Sequence, residues 1–287
     1  MAQPPQPAPL ETFTMLASSY EVSSGGSTRE LATQVIPLLS SVDATSNIHD
    51  NACGNGIVAQ EILYKYPDVP LKITCTDMAP AMIDQAREFV QSANSAATLD
   101  FHVMDSVDIN LPDNTFTHSI TNMGIAFFSD PARGAAHIHR TLQPGGTAIL
   151  TSWASIDHTF LIHEAQRAID PNPVLFRWPV SDDWWQTSHL ENVLREAGFS
   201  DVQMSRVPAH FACSDVEGLT QIFKGMYGSL GPKWEDEAKK EAFERKLGEL
   251  VRQRAIKIQR RVNGKPGAEM KEVVGFQMVA YVAVARK

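Results

Sequence analysis

The chain is 287 residues long, 43% hydrophobic and 20% charged, enough for one large soluble domain with a buried core. Its formal charge of −8 argues against a nucleic-acid partner, and no apolar run reaches the length of a bilayer. Three scattered cysteines, Cys53, Cys75 and Cys213, give neither a disulfide framework nor metal-ligand spacing, so a soluble protein of the cytoplasm with no bound metal is expected.

Four prolines within the first nine residues, and no charged-then-apolar leader pattern, predict a disordered tail over residues 1–10. Phe13, Leu16, Ala17 and Tyr20 recur at helical spacing. Gly25-Gly26 breaks that helix, and Ser27 with Glu30 fits a capping box opening a second one to about Leu39, kinked at Pro37. Residues 11–45 therefore read as a pair of helices, a lid over whatever follows.

From residue 46 strand-like runs (46–52, 71–76, 99–104, 116–121, 147–153) alternate with helical patterns (57–65, 80–94, 131–141). Alternation of this kind means right-handed βαβ units and a parallel sheet. The second half differs. A helix over 186–197 leads to a strand near 201–209, a charged helix is predicted at 234–262, and a strand-like run over 273–285 ends the chain. Residues 214–265 read as a helical insertion between the last two strands, placed to cap a substrate. The core is then 46–213 with 266–287.

The richest stretch is Ile48 to Gly56, Ile-His-Asp-Asn-Ala-Cys-Gly-Asn-Gly, followed by the helical run Ile57–Leu63. A strand that turns through glycines into a helix brings backbone amides and a positive helix end to a ligand, and a Cβ at those positions would hold the ligand off. Gly54-Asn55-Gly56-Ile57-Val58-Ala59 fits G-x-G-x-x-A, and Asp77 follows Gly56 by 21 residues, so a dinucleotide such as NAD(P) in an oxidoreductase is one reading. Four features point elsewhere. Asp50 sits just before the turn, where it suits an amine better than a pyrophosphate. Asp105 ends the third strand, Leu142-Gln143-Pro144-Gly145-Gly146 makes a tight turn into the fifth, and two helices precede the first.

Together these pieces resemble the class I S-adenosylmethionine-dependent methyltransferases of small-molecule type, related to those of quinone biosynthesis. The resemblance covers residues 46–153. Ile48–Gly56 stands for the family's first motif, Asp77-Met78 with Ala81-Met82 for its ribose-binding strand end and helix, and Met104-Asp105-Ser106 for its adenine-recognition segment. Ile120–Phe128 with Asp130-Pro131 stands for the fourth strand and its loop, and His139–Gly146 for the R-x-L-x-P-G-G hairpin. Two departures stand out: Ala52 replaces the first glycine, and polar His49 and Asn51 replace apolar strand residues. The resemblance implies an α/β, Rossmann-like, seven-stranded, mostly parallel sheet with helices on both faces and an antiparallel last strand.

It also implies roles. Asp77 would accept both ribose hydroxyls. Met78 and Met82 would wall the adenine, with Met104, Asp105 and Ser106 around its edge. Asp50, Ala52, Cys53, Gly54, Gly56 and Asn122 would surround the methionine end, with Met123 and Phe127 beside it and Tyr20 closing over the cofactor. S-adenosyl-L-homocysteine would be the product. The protein could also have the fold and bind the cofactor without transferring a methyl.

Transfer from a sulfonium needs alignment more than chemistry, and a base only where the acceptor is a hydroxyl of high pKa. His158, shortly after the fifth strand, is the candidate base. Aromatics gather after the nucleotide half (Trp153, Phe160, Phe176, Trp178, Trp184, Trp185, Phe223, Tyr227), which suits an apolar or aromatic small-molecule acceptor of secondary metabolism. Trp153, His158, Met226 and Tyr227 are expected to face it. A monomer and a homodimer are both compatible with the sequence.

Overall fold

A computed structural model describes residues 8–91, 93, 95–234, 236–261 and 267–287. Most of the predicted tail, residues 1–7, lies outside them. Helix α1 (Pro9–Leu16) already begins inside that predicted tail, because Pro9 at its start has the φ a helix needs and no N–H to lose. A 3-10 turn joins it to the short α2 (Tyr20–Ser23), and α3 (Ser27–Val35) follows the Gly25-Gly26 break. The predicted capping box is not formed. Gly26 caps α3, while Glu30 turns its carboxylate to His210 and Arg260. At Pro37 the helix ends rather than kinks, giving way to a 3-10 turn over Ile36–Leu38.

The sheet runs β3-β2-β1-β4-β5-β8-β6. β1 (Asn47–Asn51), β2 (Lys72–Asp77), β3 (Thr98–Val103), β4 (Phe116–Asn122) and β5 (Leu142–Ile156) are all parallel. α4 (Ile57–Lys65), α5 (Pro80–Gln91) and α6 (Pro131–Thr141) are the crossovers, the last opened by Asp130 accepting from the Arg133 amide. β8 (Met270–Arg286) is antiparallel to β5 and to β6 (Asp201–Cys213).

Those seven strands are the ones expected, but an eighth joins them. The predicted helix 234–262 stops at Arg254 (α10, Glu237–Arg254), and Ile256–Arg261 is strand β7, a hairpin partner of β8. Ile256-Lys257-Ile258-Gln259 alternates apolar and polar residues, a strand period that a helical stripe through Ile258 conceals. Lys257, Arg260 and Arg261 therefore lie on a strand rather than on that helix. β6 is likewise longer than predicted, because it follows β8 out to Cys213.

Period-2 alternation divides the core. Ile149 and Val282 face one side with Ile48, Ile73 and the helices α3, α4 and α5. Their neighbours Leu150 and Ala283 face the other side with α6 and α8 (Thr187–Glu196). A third cluster fills the far ends of β6 and β8, where α7 (His158–Ile169), α9 (Val216–Leu230) and α10 pack around Phe211, Phe223, Phe243 and Phe276. Gly275 lets β8 pass there, since a methyl on it would overlap the Phe211 carbonyl oxygen and the Ala212 backbone. Gly275→Ala is expected to cost about 3 kcal/mol or more, because backbone rather than a side-chain tip must move. A melting temperature within about 2 °C of the parent would contradict this.

Candidate active site

The carboxyl ends of β1, β2 and β4 open into one cavity of about 750 Å³. Crevices outside these strand ends are where open α/β sheets take ligands. The turn after β1 is built by hydrogen bonds. Asp77 at the end of β2 accepts from the Gly54 amide with Oδ2 and from the Ala79 amide with Oδ1, both at 2.9 Å. One carboxylate thus fixes the glycine turn and the entry to α5. Asp50 Oδ2 accepts from the Ala59 amide at 3.0 Å, so β1 itself caps α4, whose Gly56 has no side chain to do so.

Both carboxylates are buried. Burial pushes the Asp50 carboxyl up to about 7, with the charge of Asp77 adding to it against the bond from Ala59. Burial raises Asp77 as well, opposed by the two amides it accepts from. Tyr20, laid over the turn from α2, is pushed up to about 12, first by burial and then by the Asp77 charge.

Two residues other than glycine hold left-handed backbone here, Ala52 at φ 51° and Met123 at φ 63°. They end β1 and β4 side by side, and a methyl on Gly124 would touch the Ala52 Cβ. Such conformations cost about 1–3 kcal/mol each and gather at ligand sites. Ala52 stands where the resemblance expects glycine, and its backbone has kept the glycine conformation.

The polar first strand also has a structural reason. Asn51 Oδ1 accepts from Ser106 Oγ (3.0 Å) and Thr76 Oγ1 (3.3 Å), and its Nδ2 donates to Thr121 Oγ1 (3.1 Å). His49 Nε2 meets Thr76 Oγ1 at 2.9 Å while its ring stacks on Phe116. Burial, with the charge of His102, holds that imidazole down at about 3, so it is neutral. This network beneath the cavity floor ties the segment after β3 to β1, β2 and β4.

Tyr20, Ala52, Gly54, Asp77, Met78 and Met82 line the cavity, and so do Asp105, Ser106, Asn122, Met123 and Phe127. Asp50 and Cys53 line a recess of about 20 Å³ that shares Tyr20, Ala52, Gly54 and Asn122 with it. Asn122 also donates to the Thr28 carbonyl (3.0 Å), joining α3 to this corner. Two expected residues line neither space. Gly56, at φ 81°, is there for packing: a Cβ on it would strike Val90 and Ala86 of α5. Met104 is the other, and its neighbour Asp105, which does line the cavity, accepts from the Val107 amide with Oδ1.

None of the four expected acceptor residues reaches the cavity. Trp153 packs between the first and third core clusters. His158 opens α7 inside the third, 1% exposed, stacked on Phe223 at 4.6 Å and tilted against Phe211 at 4.9 Å. Both its ring nitrogens lack a hydrogen-bond partner, and burial holds it down at about 3. Tyr227 is buried against Phe243 with its hydroxyl accepting from Gln166, and Met226 sits half-buried beside it. Proximity in sequence to the end of β5 misled, because β6 and β8 run on past the cavity and carry the insertion with them. The outer wall comes instead from Trp178, Val180 and Trp184, in the segment between α7 and α8, facing Phe13, Phe127 and Phe128. The aromatic concentration over 176–185 was the signal for it.

A methyltransferase-domain family matches residues 49–150. The chain is 29% identical over 171 residues to methyltransferase ucsB of an Acremonium species, covering 56% of this chain and 58% of that protein. It is 30% identical over 180 residues to the malonyl-[acyl-carrier protein] O-methyltransferase of Paenibacillus sp. strain JDR-2, covering 60% and 62%. The matches thus span about three-fifths of the length of these curated relatives. Among solved structures the [4+2]-cyclase SpnF superposes with a TM-score of 0.56 at 16% identity, over 100% of this chain and 98% of that one, a likeness of fold alone. No helix among the described residues is long and apolar enough to cross a membrane.

Proposed function

We propose that this chain, whose residues 49–150 match a methyltransferase-domain family, is a class I methyltransferase that moves a methyl group from S-adenosylmethionine to an apolar or aromatic small molecule of secondary metabolism. The observation that carries this reading is one cavity with two unlike ends. One end has the glycine turn, Asp77, Met78 and Asp105; the other has Trp178, Val180 and Trp184. Two reactants fit such a space, the nucleotide at the polar end and a flat acceptor at the aromatic one.

Charge supports this cofactor over a dinucleotide. Buried carboxylates at Asp50 and Asp77 frame the turn, and a pyrophosphate beside them would meet like charge where a sulfonium and an ammonium meet opposite charge. Asp77 would hold the ribose hydroxyls, Met78 and Met82 the faces of the adenine, and Asp105 its amino group. Asp50, in its recess with the Ala52 and Asn122 backbone, would hold the methionine ammonium. The cofactor supplies a methyl already activated as an electrophile. What remains for the protein is to line up the acceptor and keep water out, and alignment alone is worth about 7–11 kcal/mol of barrier. Phe13 on α1 and Tyr20 on α2 would supply that cover.

Calorimetry tests the reading directly. S-adenosylmethionine and S-adenosylhomocysteine are expected to bind, and NADH is not. Binding of NADH alone would make the glycine turn a dinucleotide site and overturn the proposal.

A further inference from the structure

Two of the chain's histidines lie close behind the aromatic end of the cavity, and a tryptophan separates each from it. His158 meets Trp178 edge-on at 5.8 Å, and His189 meets Trp184 edge-on at 4.6 Å. Trp178 is fixed in place: its Nε1 donates to Thr159 Oγ1 at 2.8 Å, and Phe176 packs against it at 5.3 Å. Of the nine histidines, none lines the cavity. Its titratable lining among the described residues is Tyr20, Asp77 and Asp105.

These three do not serve as bases at the acceptor end. Tyr20 keeps its proton to about 12. Asp77 is occupied by two backbone amides and faces the nucleotide end. Asp105 is exposed in the turn after β3 and holds the Val107 amide.

We propose that the acceptor ionises without help from the protein, being a flat aromatic thiolate or an acidic phenolate that enters as the anion and stacks against Trp178. This rests on the methyl-transfer reading and deepens it. The proton leaves to water before binding. In the site the anion's lone pair forms the new bond to the methyl carbon, the carbon–sulfur bond breaks with its pair going to sulfur, and the two charges cancel. No proton moves inside the cavity. The tryptophans keep both imidazoles behind them, and an apolar wall favours a step in which opposite charges annihilate. The cavity's own carboxylates repel an anion, so the acceptor enters after the cationic cofactor.

The test uses the full chain with S-adenosylmethionine and four probes: 4-nitrothiophenol, 4-nitrophenol, phenol and benzyl alcohol. Initial rates of S-adenosylhomocysteine formation are followed from acid pH, below the thiol's own pKa, through neutral to alkaline pH. The thiol and the acidic phenol are expected to be methylated, each with a profile whose midpoint is the probe's own pKa and shifts from one probe to the other. Benzyl alcohol is expected to be inert. His158→Phe and His189→Phe should leave midpoint and rate within about twofold, a change of under 0.5 kcal/mol.

A midpoint that stays near the histidine range whichever probe is used, or one lost in either Phe variant, would overturn the inference. So would methylation of the alcohol alongside the anions. Calorimetry on the same samples separates the two claims. Absence of sulfonium-nucleotide binding sinks the cofactor reading, whereas binding without methylation of any ionised probe sinks this one.

Discussion

Asp77→Asn is expected to weaken S-adenosylhomocysteine binding about a hundredfold, some 2.7 kcal/mol, while the ligand-free protein melts within a few degrees of the parent. Asp77 has two tasks in the structure, holding the Gly54 and Ala79 amides and facing the cavity. Alanine would abolish both and confuse a loosened turn with a lost ligand contact. Asparagine keeps one carbonyl oxygen for a backbone amide but loses the charge and one acceptor. A charge-assisted pair of hydrogen bonds to ribose is worth about 1.5–3 kcal/mol per bond, more than the neutral amide bond that is lost. Unchanged affinity in the variant, measured by calorimetry, would mean that the ribose lies elsewhere.

His158→Phe is expected to stabilise the protein, and more so in acid. The parent ring sits among Trp178, Phe211 and Phe223 with no partner for either nitrogen. Unmade hydrogen bonds of a buried group cost about 1–3 kcal/mol, and phenylalanine fills the same cage without them. The pH sign follows from proton counts. The unfolded imidazole binds its proton near 6.5 and the folded one near 3, so below 6.5 the unfolded state holds more protons and stability falls with pH. At about pH 4 this term has removed about 3 kcal/mol relative to neutrality, and the variant does not suffer it.

His49 adds a term of the same sign, and Asp50, raised to about 7, adds one of opposite sign that favours the folded state as pH drops. Both are common to parent and variant and cancel in the difference. Urea titrations of the two proteins at about pH 7 and about pH 4 check the widening gap. Parallel pH curves would show that the ring is not buried neutral as described.

The nucleotide half was legible because its signals are local. Strand, glycine turn and helix follow one another within a dozen or so residues, and Asp77, Met78 and Asp105 each sit at a strand end, a position that sequence order alone defines. The half proposed to hold the acceptor depends on how far strands extend in space. β6 and β8 run past the cavity, and no residue within them announces that length, so His158, Met226 and Tyr227 end up in a separate aromatic core. Gly56 shows a second role that sequence order does not reveal. Its type and place fit a cofactor contact, but the neighbour that requires a glycine is Val90, on the next helix of the chain. The eighth strand was visible in the Ile256-Lys257-Ile258 alternation and was masked by the charged helix before it.

Arg260 gives the insertion a part in evolution and engineering. From β7 it donates to the Gly25 carbonyl, to Glu30 and to the His210 carbonyl, while Glu30 also receives His210 Nδ1 at 2.7 Å. The Gly25-Gly26 break between α2 and α3 is thus held by a residue 235 positions downstream of it. Swapping residues 214–265 between homologues, the obvious cut for a chimera, would sever that tie and leave Glu30 facing an unmatched strand. The exchangeable block is larger and discontinuous: the hairpin must travel with residues 25–30. Natural recombination faces the same constraint, so specificity in this chain should drift through point changes in the wall around Trp178 more readily than through wholesale replacement of the insertion.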